Sequence, residues 1–397
     1  MSTSITSHQV QPLKLDGGGS SPLVFESFDL PSTNQRILGA PHPPNTVIPL
    51  ALRPSTYGDG TPDLDTVISS IKSLQAQDGL LTKKLAQHGT LLFRGLPIND
   101  AQDFSKFAHA FGYAPHEIIG IVVNRPLLAP NVAPANEAPK DVLIYSHNES
   151  PQVPHAPEYI FFYGHRAPSK GGESPISSSL ELFHRAKEEI PAFIEELAAK
   201  GILSKVTYKV ETQYAGGSTL KQAFGKEIQD GDDEATRRAK VEAQIQRYGR
   251  GTHTSWEWTD GGQTLVLTHH LPAIRTQPNT NLPTLFTGLA AYYRNFVNTA
   301  NAARRNVTQQ LYGDGTPIPD AYLKRLAEIT EEIRVLHRWE RGDVLVYDNV
   351  VAQHGRQPWE GEQGDRVVLA SLWDGVVPGK FEGSEGEWAR VVQVSEA

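Results

Sequence analysis

The chain contains no cysteine, and its single methionine is the first residue. Disulfide bridges, zinc ribbons, iron–sulfur clusters and cysteine nucleophiles are therefore excluded. Any metal must be held by histidine and carboxylate side chains. The sequence has 14 histidines and 45 aspartates and glutamates, so such ligands are available.

Long apolar runs are also missing. No run of about 18 apolar residues occurs, and the start of the chain lacks the apolar stretch of a signal peptide. These absences predict a cytoplasmic protein that does not insert into a membrane. The net charge is -8 and neither lysine nor arginine forms a run, which argues against binding to nucleic acid. We therefore expect a small-molecule partner, while nothing in the sequence indicates an oligomeric state.

The composition changes once, near the start of the chain. Residues 1–45 are rich in glycine, proline, serine and threonine, which predicts a flexible N-terminal arm. From residue 46 to residue 397 we expect a single domain. Within it, the region of residues 217–250 carries helix formers with interspersed charge and is expected to be a helical insert.

Strand-like segments dominate the expected domain. Short apolar runs between proline and glycine breaks occur at 90–95, 141–150, 158–165, 263–274, 343–349 and 366–375. Helical segments lie between some of them, without strict β-α-β alternation. This pattern favours an α+β, β-rich fold with helices packed outside the sheets. A dinucleotide-binding fingerprint between a strand and a helix and a phosphate-binding loop are both absent.

The five residues from Ser146 to Ser150, "SHNES", allow three interpretations. Asn148 opens a glycosylation sequon, the polar residues before a proline suit a turn, and His147 with Glu149 could hold a metal. On an extended strand alternate side chains share a face, so His147 and Glu149 would point the same way and Asn148 would point away. A pair with this spacing also arises by chance, so the context must decide.

A third metal ligand is available late in the chain. In "GDVLVYDNVVAQHGR" a strand pattern leads to a turn at Asp348 and Asn349, and His354 follows. His147, Glu149 and His354 would form a face of two imidazoles and one carboxylate, which leaves three coordination positions open. Such a face favours a non-haem Fe(II) that activates oxygen.

Four segments, in order, carry a resemblance to a known family: "GTLLFRGLP", "SHNES", "EYIFFYGHRAPSKGGESPI" and "GDVLVYDNVVAQHGRQPWEGEQGDRVVLASL". They resemble the landmarks of the TauD/TfdA, or clavaminate synthase-like, 2-oxoglutarate-dependent oxygenases. The resemblance covers the chain from about residue 46 to 375. It implies a double-stranded β-helix, a jelly roll, with flanking helices. It also implies Fe(II) as the metal and 2-oxoglutarate and O2 as cosubstrates.

The resemblance implies roles for individual residues. His147, Glu149 and His354 would bind the iron. Arg366, together with the hydroxyl of Ser174 in the turn "GGES", would bind the far carboxylate of 2-oxoglutarate. A guanidinium suits this role because its rigid fork meets a carboxylate with two parallel hydrogen bonds.

Two departures from the wider family bear on the substrate. The carboxylate ligand is Glu149, as in a minority of the family that includes the clavaminate synthase-like branch. The resemblance implies a second arginine four residues after the first in members that bind sulfonates. Here that position is Ala370, so a taurine-like substrate is not expected. Arg356 is a weaker rival of Arg366. The candidate substrate contacts that precede the first motif are Arg125, Asn136 and Glu137.

Together these features predict an Fe(II)/2-oxoglutarate-dependent oxygenase of a small polar molecule, an amino acid or a specialised-metabolite intermediate. It would oxidise an unactivated C–H by hydroxylation, desaturation or oxidative cyclisation, with release of succinate and CO2. Two alternatives stay open: a non-catalytic metal-binding protein on the same scaffold, and a zinc hydrolase that uses the same ligands. In the non-catalytic protein Arg366 would serve only as a structural ion-pair partner, but such a protein would be expected to have lost at least one of the three ligands, Arg366 and Ser174. The zinc hydrolase would leave Arg366 and Ser174 unexplained, so the oxygenase is favoured.

Overall fold

The strands are short and numerous, as the apolar segments between proline and glycine breaks predicted. The computed structural model describes residues 13–17, 23–31, 33–55, 62–119, 126–135, 138–211, 219–249, 251–298, 308–375 and 385–396. The strands of the first half are β1 Lys14–Asp16, β2 Val24–Ser27, β3 Arg36–Ile37, β4 Val47–Ile48, β5 Leu50–Pro54, β6 Thr90–Phe93, β7 Ala114–Pro115, β8 Ala133–Pro134, β9 Ile144–His147, β10 Tyr159–Arg166 and β11 Ser174–Ser178. Those of the second half are β12 Ile202–Lys209, β13 Thr254–Thr259, β14 Thr264–Leu271, β15 Ile274–Gln277, β16 Leu282–Leu285, β17 Thr308–Tyr312, β18 Val335–His337, β19 Val344–Asp348, β20 Ala352–Arg356 and β21 Val367–Asp374.

Three of the helices begin at an aspartate that the sequence places before them. The helices are α1 Leu64–Ala76, α2 Leu80–His88, α3 Ala101–His109, α4 Ser179–Glu189, α5 Pro191–Lys200, α6 Leu220–Phe224, α7 Glu234–Tyr248, α8 Leu289–Tyr292, α9 Asp320–Ile333 and α10 Glu385–Glu396. The carboxylates of Asp63, Asp100 and Asp233 cap α1, α3 and α7 by accepting a hydrogen bond from a backbone N–H three residues later. In the described part of the chain no helix has both the length and the apolar character to cross a membrane.

A large mixed sheet and a smaller antiparallel sheet form the centre of this mixed α/β fold. The large sheet has nine strands in the order β1-β2-β5-β6-β19-β10-β21-β7, with β8 also paired to β21. The smaller sheet has four strands in the order β18-β11-β20-β9. All pairs are antiparallel except β5 with β6.

The central strands of the large sheet are apolar on both faces. In β10, Phe161 and Tyr163 join a core with α1, α2 and α3, whereas Ile160 and Phe162 face the four-stranded sheet. This division follows from the period of two along a strand. Because both faces of β10 are covered, its sequence is a nearly continuous apolar run. On the outer side of the four-stranded sheet, α4, α5 and α9 form a further core.

The described part of the N-terminal region is not a loose arm. Strand β2 extends the large sheet by pairing with β5, and β1 pairs with β2 at the edge of the sheet. Leu15 and Phe25 are buried in the same core as α1, α2 and α3. These residues of the predicted arm over residues 1–45 therefore pack against the fold, because a few alternating apolar side chains outweigh the glycine-rich and proline-rich composition around them.

A third sheet, in the order β13-β14-β12-β17, carries the helices that the sequence predicted between residues 217 and 250. Phe224 of α6 and both Val241 and Ile245 of α7 pack against Leu265 and Leu267 of β14. The helical region therefore has a core of its own, formed with this sheet.

Phe25→Ala tests whether the N-terminal strands contribute to the stability of the fold. The side chain is fully buried, so its truncation should lower the free energy of unfolding by about 3–5 kcal/mol. Ile37→Ala, at a side chain that is 50% exposed, should change it by less than about 0.5 kcal/mol. Denaturant unfolding followed by circular dichroism measures both. If Phe25→Ala lowered the free energy of unfolding as little as Ile37→Ala does, the N-terminal strands would be only loosely attached.

Candidate functional site

Two neighbouring strands of the four-stranded sheet bring the predicted metal ligands together. His147 ends β9, and in the antiparallel pairing of β9 with β20 it lies opposite His354. The centroids of the two imidazole rings are 4.7 Å apart. Glu149, just beyond the end of β9, places its Oε2 atom 3.3 Å from Nε2 of His354. The ligand atoms of the three side chains all lie within 4.8 Å of one another.

A backbone carbonyl sets the orientation of the His147 ring. Nδ1 of His147 lies 2.7 Å from the carbonyl oxygen of Tyr145, and since a carbonyl only accepts, Nδ1 carries the proton. The lone pair is then on Nε2, the remaining nitrogen. Burial, followed by the adjacent His354, lowers the pKa of His147, so the ring is in the neutral form that binds metals. Two imidazoles and one carboxylate at this separation fit a divalent transition metal.

Asn148 points away from the two ligands that flank it. Its side chain is 0% exposed, so it cannot carry a glycan in the folded protein. Its Nδ2 donates to the carbonyl oxygen of Asn349 at 2.6 Å and to Ser179 Oγ at 3.0 Å. Its Oδ1 accepts from the backbone N–H of Thr287 at 2.9 Å and from Gln353 Nε2 at 3.2 Å. The amide thus connects the end of β9 to the turn between β19 and β20.

Asn349 completes the connection from the other side. Its Oδ1 accepts from the backbone N–H of Glu149 at 2.7 Å, and its Nδ2 donates to the backbone oxygen of Glu149 at 3.0 Å and to that of Pro157 at 2.8 Å. The sequence marks Asn349 as a turn residue, but not as the partner of Glu149. The backbone of the carboxylate ligand is therefore held by the turn that leads to His354.

The predicted cosubstrate residues lie close together beside the metal-ligand cluster. Arg366, one residue before β21, donates from Nε to the oxygen of Gly172 at 2.8 Å and from Nη2 to Ser174 Oγ at 3.5 Å. Gly172 has a φ of 72°, and a Cβ there would lie 2.9 Å from Cδ of Arg366. A glycine is thus required for the arginine to approach. Burial, followed by the positive charge of Arg356, lowers the pKa of Arg366, so an incoming anion would stabilise the charged form.

Trp339 contacts Ser174, and no feature of the sequence indicated this contact. Its indole Nε1 donates to Ser174 Oγ at 3.0 Å. The hydroxyl oxygen of Ser174 accepts from both Trp339 and Arg366, so its own proton remains available for an acceptor. A carboxylate placed beside Arg366 is such an acceptor.

Arg356 makes different contacts from Arg366. Its Nη1 donates to the oxygen of Ala138 at 3.0 Å, and its Nη2 donates to those of Pro139 at 2.8 Å and Val142 at 2.7 Å. These bonds hold the segment before β9 against β20. Arg356 is thus occupied with the backbone, which favours Arg366 as the residue that binds a carboxylate.

All five residues, His147, Glu149, Ser174, His354 and Arg366, line one cavity of about 220 Å³. It lies between the two central sheets. The remaining lining is mostly apolar, with His116, Asn131, Ser150 and Arg356 as the other polar residues; the apolar side chains are Ile118, Leu127, Ala133, Ala135, Ile144, Phe162, Val368, Ala370 and Leu372. The predicted substrate contacts Arg125, Asn136 and Glu137 lie outside the described residues.

Sequence comparison places the chain in a known family. Residues 51–373 match the family model described as "Taurine catabolism dioxygenase TauD, TfdA family". The chain is 30% identical over 301 residues to a clavaminate synthase-like protein of Arabidopsis thaliana, which covers 76% of this chain and 86% of the relative. It is 28% identical over 297 residues to the dapdiamide synthesis protein DdaC of Enterobacter agglomerans, which covers 72% of this chain and 83% of the relative.

Among solved structures, a taurine dioxygenase from Burkholderia xenovorans matches with a TM-score of 0.44 and 16% identity, over 92% of this chain and 100% of that chain. The family-model match alone spans most of the chain. The protein therefore belongs to the TauD/TfdA family of Fe(II)/2-oxoglutarate-dependent dioxygenases, as its motifs predicted.

Asn148→Ala tests whether the buried amide positions the metal ligands. The substitution leaves Thr287 N–H and Gln353 Nε2 without this acceptor, so we expect a loss of at least about 2 kcal/mol of unfolding free energy. The affinity for Fe(II), or for Mn(II) as a redox-stable probe, should fall roughly 10–100-fold. Asn99→Ala, at an exposed asparagine, is the control and should leave both values unchanged. Unaltered metal affinity in a folded Asn148→Ala variant would contradict this role.

Proposed function

We propose that the protein oxidises an unactivated C–H of a small substrate bound in the cavity between the sheets. In this proposal His147, Glu149 and His354 bind Fe(II), while Arg366 and Ser174 bind the far carboxylate of 2-oxoglutarate. The scaffold is a double-stranded β-helix, and residues 46–397 form one domain. The observation that carries the proposal is that the two-histidine, one-carboxylate cluster and the half-buried Arg366 line the same cavity.

Fe(II) held by His147, Glu149 and His354 would supply the oxidising chemistry, with 2-oxoglutarate and O2 as cosubstrates and succinate and CO2 as products. The protein contributes three things. Arg366 neutralises and orients the cosubstrate, Ser174 donates a further hydrogen bond, and the apolar walls keep water from the reacting C–H. Apolar side chains such as Phe162 and Leu372 line the cavity and would contact the substrate. Specificity therefore rests on shape as well as on a few polar contacts.

The cavity also supports a small substrate without a sulfonate. Its volume of about 220 Å³ is smaller than the roughly 300–1,000 Å³ of most small-molecule sites, and 2-oxoglutarate must share it. Ala370 lines the cavity, so a methyl group stands where sulfonate-binding members have an arginine. We therefore propose an amino acid or a specialised-metabolite intermediate, which is hydroxylated, desaturated or cyclised. The relative named for dapdiamide synthesis supports the specialised-metabolite class.

Succinate formation tests the proposed reaction. Protein with Fe(II), 2-oxoglutarate and O2 is incubated with a library of amino acids and related metabolites, and succinate is measured by mass spectrometry. At least one compound should raise succinate above the uncoupled background, and His354→Ala should abolish the increase. Under anaerobic conditions, Fe(II) and 2-oxoglutarate should give a weak visible charge-transfer band. Protein that binds both without such a band would overturn the proposal.

Arg366→Met tests the cosubstrate site directly. Loss of the charged hydrogen bonds should raise the Kd for 2-oxoglutarate roughly 10–100-fold. Ser174→Ala and Trp339→Phe should each raise it by a smaller factor of roughly 3–10, because each removes one neutral hydrogen bond. Calorimetric titration of the anaerobic Mn(II)-loaded protein measures these values. Arg341→Met, at an exposed arginine, is the matched control, and an Arg366→Met variant that behaves like this control would show that another group binds the carboxylate.

A further inference from the structure

A second group of metal-ligating side chains lies at the far end of β21. Asp374 ends this strand, His116 follows β7, which pairs with it, and His155 lies between β9 and β10. Nδ1 of His116 is 2.7 Å from Oδ1 of Asp374, and Nε2 of His155 is 4.0 Å from Oδ2 of the same carboxylate. The two imidazole rings stack with centroids 4.3 Å apart.

The dimensions of this group resemble those of the predicted iron ligands. In both groups two imidazoles and one carboxylate place their ligand atoms within 4.8 Å of one another. In a tetrahedral site with bonds of about 2.1 Å the ligand atoms lie roughly 3.4 Å from one another, so small side-chain adjustments suffice to close either group around an ion. In the described part of the chain these are the two groups with such a geometry.

The surroundings favour a cation. Asp374 is 2% exposed, and a buried carboxylate of this kind is ordinarily paired or bound to a metal. Glu117, beside His116 in the chain, adds negative charge, although Lys226 and Arg247 lie 2.8 and 3.7 Å from it. His116 also lines the active-site cavity, which gives an ion a path to the group.

The end of α7 supports the group from its other side. The ring of Tyr248 lies 4.7 Å from that of His155, and the Tyr248 hydroxyl donates a hydrogen bond to Glu117. His155 is thus held between His116 and Tyr248. Such support limits the entropy that the side chains lose on binding an ion.

We propose that His116, His155 and Asp374 form a second transition-metal site, which takes a divalent ion such as Zn(II) or Co(II), with water completing the coordination shell. Imidazole and carboxylate ligands suit these ions. The site is distinct from the one formed by His147, Glu149 and His354, and it does not depend on the reaction proposed above.

Cobalt titration of the metal-free, full-length protein tests this proposal. Visible absorption of Co(II) and equilibrium dialysis should show two ions bound per chain, because each group closes around one ion. Asp374→Asn, which preserves the size of the side chain, and His155→Phe, which preserves ring stacking, should each reduce the count to one. His184→Phe, at a surface histidine 3.3 Å from Glu188, is the control for weak surface binding and should retain two.

The outcomes separate the two sites. His354→Ala should also reduce the count to one, and the ion that remains should be lost on adding Asp374→Asn. One ion in the unchanged protein, or two in a folded Asp374→Asn variant, would overturn the second site. Two ions in His354→Ala would instead contradict the assignment of the first site. Circular dichroism establishes that each variant is folded, and Asp374→Asn decides the result if His155→Phe does not fold.

Discussion

Two buried asparagine amides hold the geometry on which the site depends. His147 and Glu149 come from the end of one strand, and His354 comes from a strand that is distant in the sequence. The amides of Asn148 and Asn349 connect these strands by bonds to the backbone on both sides. Because these polar groups are buried, any relative displacement of the strands would leave several of them without partners. The position of the metal ligands is thereby tied to the stability of the fold.

The packing of the two central sheets sets the distance between Arg366 and the candidate metal ligands. The metal-ligand cluster belongs to the four-stranded sheet, whereas Arg366 immediately precedes β21 of the large sheet. Ile160, Leu345 and Tyr347 of the large sheet pack against Ile176 and Ala352 of the smaller one. This apolar layer fixes how far the guanidinium lies from the ligands, and the cavity is the part of the space between the sheets that side chains do not fill.

Hydrophobic patterning does not predict the charged side chains that the site places in apolar surroundings. Arg366 is held in an apolar surrounding with Trp339 and Trp359 rings 6.0 and 5.9 Å from its guanidinium carbon. Asp374 is buried at the other end of β21. Buried charges of this kind destabilise a fold unless a partner is present, and proteins retain them chiefly at functional sites. One strand thus connects the residue proposed to bind 2-oxoglutarate to a residue of the proposed second metal site.

The local structure and the candidate metal ligands His147, Glu149 and His354 could be predicted from the chain alone. The capping aspartates, the glycine that ends α2 and the apolar runs of β6, β10, β19 and β21 depend on residues a few positions apart, so they can be read from the chain. The period of two likewise predicts that His147 and Glu149 share a face. Three sets of contacts become visible only in the folded chain: Leu15 and Phe25 join the core, Trp339 donates a hydrogen bond to Ser174, and Asp374 meets His116 and His155. These contacts join residues far apart in the chain, and they depend on the order of strands in the sheets, which long-range packing sets and local patterns do not encode.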